Sequence, residues 1–253
     1  MKSFDGLIIG ARKALSYLER QHVMRYLFAL DFVSANDLVL DCACGSGYGS
    51  WILSQKAAGV YGVDISQEAL SYAQYYYNRD NITFLPGDAL KLPFPNHFFN
   101  VVVTFETIEH VIDGNEFLVE MKRVLKPDGV LVLSTPNRKW SFHPPYHLRE
   151  YSPSELFVLL KSHFSDVAIL YQYEHIADRL RELVTNSKLT RVALRAARKL
   201  RIISRVEASE ASPQTGFLPD LGLNYKYEAV TADRRRLNGI QRILIAVCRK
   251  PIG

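Results

Sequence analysis

Cysteine is scarce: Cys42, Cys44 and Cys248 are the only three in 253 residues. Their number is odd and no C-x-x-C pair occurs, so neither a disulfide framework nor a zinc site is expected. They read as small buried strand residues in a reducing cytoplasm. Long apolar runs are missing too. No stretch approaches the roughly 18 residues that would cross a bilayer. Met1 to Gly10 holds only a four-residue apolar patch, so export is not expected and a cytoplasmic location is. The chain has no internal repeat, no low-complexity tract and no recognisable nucleic-acid motif, which leaves no reason to expect a nucleic-acid partner. No metal is expected.

What remains is the composition of a soluble globular protein, 48% hydrophobic and 23% charged, long enough to bury a full core. The net charge of +5 is local. Nine Lys/Arg between Arg179 and Arg205 face only Glu182, a net of +8 that leaves the rest of the chain at −3. Any electrostatic argument about partners therefore belongs to that segment.

From Leu38 to Tyr173 short β-rich apolar runs alternate with helical patterns, which predicts a parallel sheet with helices on both faces. Strands are expected near 38–42, 59–64, 82–85, 99–104, 130–134 and 166–173. Ser66 should cap a helix over Gln67–Tyr77, a second helix should cover Asn115–Leu125, and Ser152-Pro153-Ser154-Glu155 reads as a capping box with proline at the first helical position. Ser16–Phe32 has helical spacing. A seventh apolar run, Arg242–Cys248, has no room for a following helix and most easily adds antiparallel. The expected fold is thus α/β, a doubly wound, Rossmann-like seven-stranded sheet with an antiparallel last strand. It divides into an N-terminal helical segment (1–36), the sheet domain (37–173 and 240–253) and a basic helical insert (174–239), too long to be a hairpin loop.

The chemistry sits at strand ends. Val39-Leu40-Asp41-Cys42-Ala43-Cys44-Gly45-Ser46-Gly47-Tyr48-Gly49-Ser50 is an apolar strand that ends on an acid and opens into a glycine-dense loop. Glycines there admit positive φ and the close approach of a ligand to the main chain. Asp64 ends the second strand, where a carboxylate can accept hydrogen bonds from both hydroxyls of a ribose. Gly87-Asp88-Ala89 follows the third strand and suits an adenine amino edge. Phe105-Glu106 through His110 follows the fourth. In an open α/β sheet such ends line one crevice.

In that order and spacing, together with Leu92-Pro93-Phe94, Glu109-His110-Val111, Arg123–Gly129 and Ser134-Thr135-Pro136-Asn137, these residues resemble class I S-adenosylmethionine-dependent methyltransferases of the small-molecule group that includes the ubiquinone-biosynthesis enzymes. The resemblance covers about Arg20 to Phe164 and the closing strand. It implies S-adenosyl-L-methionine as cofactor, with Gly45 and Gly47 under its methionine part, Asp64 on the ribose, and Asp88 and Ala89 framing the adenine. Asp41 would organise the glycine loop near the cofactor's ammonium, and Ala43, Ile65 and Phe105 would complete the set. Ala43, where a glycine is common, and Asn100, where aspartate is common, depart from the pattern. A dinucleotide-binding oxidoreductase shares Gly45-x-Gly47 and the acid at 64, but it fails at Ser50, where a third glycine or alanine is expected. A protein that binds the cofactor without catalysis is the other alternative.

Methyl transfer needs a base only when the acceptor must lose a proton. His110, and His143 and His147 in the loop after the fifth strand, are the candidates, and His110 and His147 are carried forward as catalytic. Arg20, His22, Arg25 and Tyr26 of the early helix either cover the pocket or form a plain surface helix. The acceptor is expected to be a small molecule such as a sugar, glycan precursor or natural product. For the basic insert three roles stand open: a solvated amphipathic helix, a lid for an anionic acceptor, or peripheral membrane contact through 179–205.

Overall fold

A computed structural model describes residues 17–175 and 239–252. The insert expected at 174–239, with its basic run, lies outside the described residues except at its two ends, as do the first sixteen residues of the expected N-terminal segment.

The chain opens with α1 (Tyr17–Ala29) and a 3-10 turn at Leu30–Phe32, then β1 (Leu38–Cys42), α2 (Tyr48–Leu53), β2 (Gly59–Asp64), α3 (Gln67–Tyr76), β3 (Ile82–Pro86) and β4 (Phe99–Phe105). A 3-10 turn at Ile108–His110 leads to α4 (Gly114–Val124), β5 (Leu125–Pro136), α5 (Pro153–Lys161), β6 (Phe164–His175) and β7 (Gly239–Pro251). The seven strands form one sheet in the order β3-β2-β1-β4-β5-β7-β6. β1 to β5 pair in parallel, whereas β7 inserts antiparallel between β5 and β6.

Both faces are covered, which is why the strands read as continuous apolar runs. Successive side chains go to opposite layers. Val39, Val101, Val103, Val132, Ile245 and Val247 join the cluster that includes Tyr26, Ile52 and Leu70, while Leu40, Val102, Leu131, Leu133, Leu244 and Ala246 join the one with Phe117, Met121 and Leu156. Phe99 falls in the second cluster although it shares odd parity with Val101. The pairing slips between them, from Phe99↔Leu125 to Val101↔Val130. Asn100 sits at that slip, and its side-chain oxygen accepts from Leu38 N at 3.1 Å and Lys126 Nζ at 2.9 Å.

The caps agree with the sequence. Ser66 accepts from Ala69 N, and Ser152 and Glu155 form the reciprocal box with Pro153 at the helix start. α4 begins one residue earlier than expected because Asp113 takes the cap, accepting from Asn115 N. The three cysteines are buried and unpaired. Among the described residues no helix is long and apolar enough to cross a membrane.

Candidate active site

The carboxyl ends of β3, β2, β1 and β4 lie side by side, and the chain reverses its winding direction between β1 and β4. A crevice at such a switch point is where open α/β sheets bind ligands. Asp64 ends β2 and ties two backbones together, its Oδ2 accepting from Gly45 N and its Oδ1 from Ser66 N, both at 2.8 Å. An ionised carboxylate has about four acceptor positions, so it retains capacity for hydroxyls. Beside it Ile65 is 80% exposed, an apolar side chain available to a planar ring. Across from it, Asp88 Oδ1 accepts from Leu90 N in a tight turn that starts at Gly87.

The glycine loop turns through a run of left-handed residues: Ala43 at φ 61°, Gly45 at 53° and Gly47 at 86°. An ideal Cβ on Gly45 would meet nothing within 4 Å, whereas one on Gly47 would collide with Ala73 and Phe84. Gly45 thus faces open space and Gly47 faces the protein. The left-handed backbone at Ala43 is one that glycine adopts more readily, since a left-handed non-glycine residue costs about 1–2 kcal/mol. Ala43→Gly is expected to stabilise the protein by roughly 0.5–1 kcal/mol once the extra flexibility of the unfolded chain is discounted; the midpoint of urea denaturation reads this directly.

Asp41 has no exposed surface. Its Oδ2 accepts from Ser50 Oγ at 2.6 Å and its Oδ1 from Tyr26 OH at 3.0 Å. It therefore serves the loop from beneath, fastening β1 to α2 and to α1. Burial raises its pKa to about 7 against the pull of those two hydrogen bonds. Ser50 does a job that glycine could not. Tyr26 also packs edge-on against Tyr48 and Phe105, with centroids 5.4 and 4.9 Å apart, so α1 covers the loop, and Phe105 belongs to this aromatic contact. Arg25, 1% exposed, donates to Gln172 Oε1 at 2.8 Å and approaches Glu106 Oε1 at 4.0 Å.

After β4 the backbone turns left-handed at Glu106, φ 53°. Its Oε1 accepts from Ser134 Oγ at 2.8 Å. Glu109 is fully buried, with Oε2 accepting from Thr135 Oγ1 at 2.9 Å. Burial, and then the nearby Glu106 charge, hold its pKa well above the carboxylate range. The Glu109 carbonyl accepts from Leu148 N at 2.7 Å and Arg149 N at 3.2 Å, which draws the loop after β5 over the end of β4. That contact brings His110 and His147 together, with ring centroids 5.0 Å apart, and Tyr146 flanks both. His143 and His147 share Glu150, which Ser141 also binds. Partial burial would raise the Glu150 pKa, but the hydrogen bonds from Ser141 and His147 outweigh it and keep the carboxyl below its usual range. Ser134, Thr135 and Tyr26 carry no sequence signal of this role, because each acts through a partner distant in the chain.

Several known proteins are similar to this chain. The family model described as a methyltransferase domain matches residues 40–133. A protein of Mycolicibacterium smegmatis named "Probable S-adenosylmethionine-dependent methyltransferase" is 35% identical over 154 residues, an alignment spanning 58% of this chain and 58% of that one. The demethylmenaquinone methyltransferase of Tropheryma whipplei is 32% identical over 171 residues, covering 66% of this chain and 69% of its own length. Among solved structures, the YcgJ protein of Bacillus subtilis superposes with a TM-score of 0.58 at 19% identity, covering 92% of this chain and all of that one, which speaks to the fold alone. With the strand order, the glycine loop and the acid at 64 in place, the chain belongs to the class I S-adenosylmethionine-dependent methyltransferase family.

Proposed function

We propose that this protein transfers a methyl group from S-adenosylmethionine to a hydroxyl oxygen of a small-molecule acceptor. Bound there, the cofactor supplies a methyl on a sulfonium, whose C–S bond breaks as the bond to the acceptor forms. The residues present fit such a group. Gly45 offers main chain without a side chain, Asp64 offers spare acceptor capacity for two hydroxyls, Ile65 offers an apolar face, and Gly87-Asp88-Ala89 offers a polar edge. The same acid and glycines would suit a dinucleotide, but Ser50, spent on Asp41, stands where that fingerprint needs glycine or alanine.

The observation that carries an oxygen acceptor is the pairing of His110 with His147 at the open end of β4. A hydroxyl must lose a proton to become a methyl acceptor, whereas a neutral amine need not, and this pair is where that proton is handled. Holding acceptor and methyl carbon together supplies the larger part of the acceleration; effective molarities of about 10⁵–10⁸ M show how far positioning reaches. A sugar or another hydroxylated ring is the class of acceptor this supports.

Calorimetry with S-adenosylhomocysteine and with NAD, followed by transfer of a labelled methyl to a panel of hydroxylated and amino acceptors, tests this. Expected are saturable binding of S-adenosylhomocysteine, none of NAD, and label on oxygen. Tight NAD binding would overturn the cofactor, and label on nitrogen alone would overturn the acceptor.

A further inference from the structure

Glu109, His110 and His147 each bring one ligand atom to within 4.8 Å of the other two, a carboxylate oxygen and two ring nitrogens. The imidazoles are already oriented. His110 Nδ1 lies 3.1 Å from the Tyr146 carbonyl oxygen and His147 Nδ1 lies 2.7 Å from Glu150 Oε1. A carbonyl and an ionised carboxylate can only accept, so each Nδ1 carries the hydrogen, and in the neutral imidazole each Nε2 is then the atom with the lone pair. Outer acceptors of this kind orient metal-binding histidines and make them more basic ligands.

Glu109 adds the second observation. Its side chain is fully buried, and while Oε2 is held by Thr135, Oε1 is buried with no hydrogen-bond partner. A buried carboxylate oxygen left without a donor is costly, and a cation is a partner that removes the cost. The neighbouring Arg25 donates through Nη1 to Gln172 and brings Nη2 to 4.0 Å from Glu106, and none of its nitrogens hydrogen-bonds Glu109 Oε1. The frame is firm as well, since the Glu109 carbonyl fastens the very loop that carries His147.

We infer that Glu109, His110 and His147 hold a divalent cation that receives the acceptor's oxygen. Two imidazoles and one carboxylate suit first-row transition cations such as Mn²⁺ or Zn²⁺ better than Mg²⁺ or Ca²⁺, and three ligands leave positions for another molecule. This rests on the reading of an oxygen acceptor and says how its proton is handled. A cation draws electron density from the hydroxyl oxygen, its O–H bond breaks near neutral pH, and the proton passes to water. The two histidines are then ligands, and no general base is required. The spacing of these residues in the sequence gave no reason to expect a metal; the meeting of two loops supplies it.

The test is titration of the metal-stripped full chain with Mn²⁺, followed by calorimetry and by the electron paramagnetic resonance signal of free Mn²⁺, with calorimetric titrations of Zn²⁺ and Mg²⁺ alongside. One equivalent of Mn²⁺ should bind more tightly than Mg²⁺. His147→Asn and Glu109→Gln should abolish binding, Glu150→Gln should weaken it about 10–100-fold, and His97→Asn should leave it unchanged. If Glu109→Gln does not fold, the exposed His110→Asn takes its place. Absence of saturable binding of both Mn²⁺ and Zn²⁺, or binding that these variants leave intact, overturns the inference. S-adenosylhomocysteine titrated into the same samples separates the two readings: retained cofactor binding without cation binding defeats the metal alone, and cation binding without cofactor binding defeats the proposed function alone.

Discussion

Gly47→Ala is expected to destabilise the protein by about 2–4 kcal/mol, the sum of a left-handed alanine and an overpacked contact. Its φ of 86° is one that alanine adopts at a cost, and the added methyl would lie 2.5 Å from Ala73 Cβ, 2.9 Å from Phe84 Cζ and 3.1 Å from Ala73 Cα. The last of these is backbone of α3, so no rotamer change relieves the clash. Gly45→Ala is the control. There φ is 53° and nothing lies within 4 Å, so only the conformational cost of about 1–2 kcal/mol applies. With the cofactor placed as proposed, the new methyl would stand in its path, and affinity for S-adenosylhomocysteine should fall at least about tenfold, about 1.4 kcal/mol. Urea denaturation and calorimetry on both variants separate the effects. Equal stability losses at the two positions would contradict the packing argument.

The second large effect is a dependence of stability on pH that passes through Asp41. Its folded pKa of about 7 lies above the 3.8 of an unperturbed aspartate, mainly because of burial, with the Asp64 charge on β2 contributing. Between about pH 4 and 7 the folded protein therefore holds a proton that the unfolded chain has released. The unfolded state binds fewer protons in that window, so stability falls as pH rises through it and levels off above about pH 7. Three pKa units correspond to an upper bound of roughly 4 kcal/mol, so a loss on the order of 2–4 kcal/mol is expected. Asp41→Asn cannot ionise and keeps a polar partner for Tyr26 and Ser50, whose hydroxyls can turn. Relative to wild type, the variant should gain stability between pH 5 and pH 8. Parallel denaturation series that show the same slope for both proteins would rule out Asp41 as the source.

Much of the architecture was legible along the chain. The β2 boundaries, the Ser66 cap, the capping box at Ser152 and the antiparallel seventh strand all follow from local periodicity and turn chemistry, which act over a few residues. β5 runs longer than its apolar core because Leu125 pairs with Phe99 before the slip at Asn100, and a slip in register leaves no mark in one strand alone. α2 was hidden because its six residues follow the glycine loop directly, too short for a periodic signal.

The acid, the glycines and the order of strand-end motifs were enough to name the cofactor class, since a nucleoside needs those groups at successive strand ends and the topology delivers them. What the sequence could not determine is who meets whom across the site. Tyr26 reaches Asp41 only because α1 docks on the β1 loop, and His147 reaches His110 only because the Glu109 carbonyl pins the loop that follows β5. Side-chain type and spacing govern local conformation, but such meetings depend on long loops closing over a finished sheet, so their geometry exists only in the packed tertiary structure.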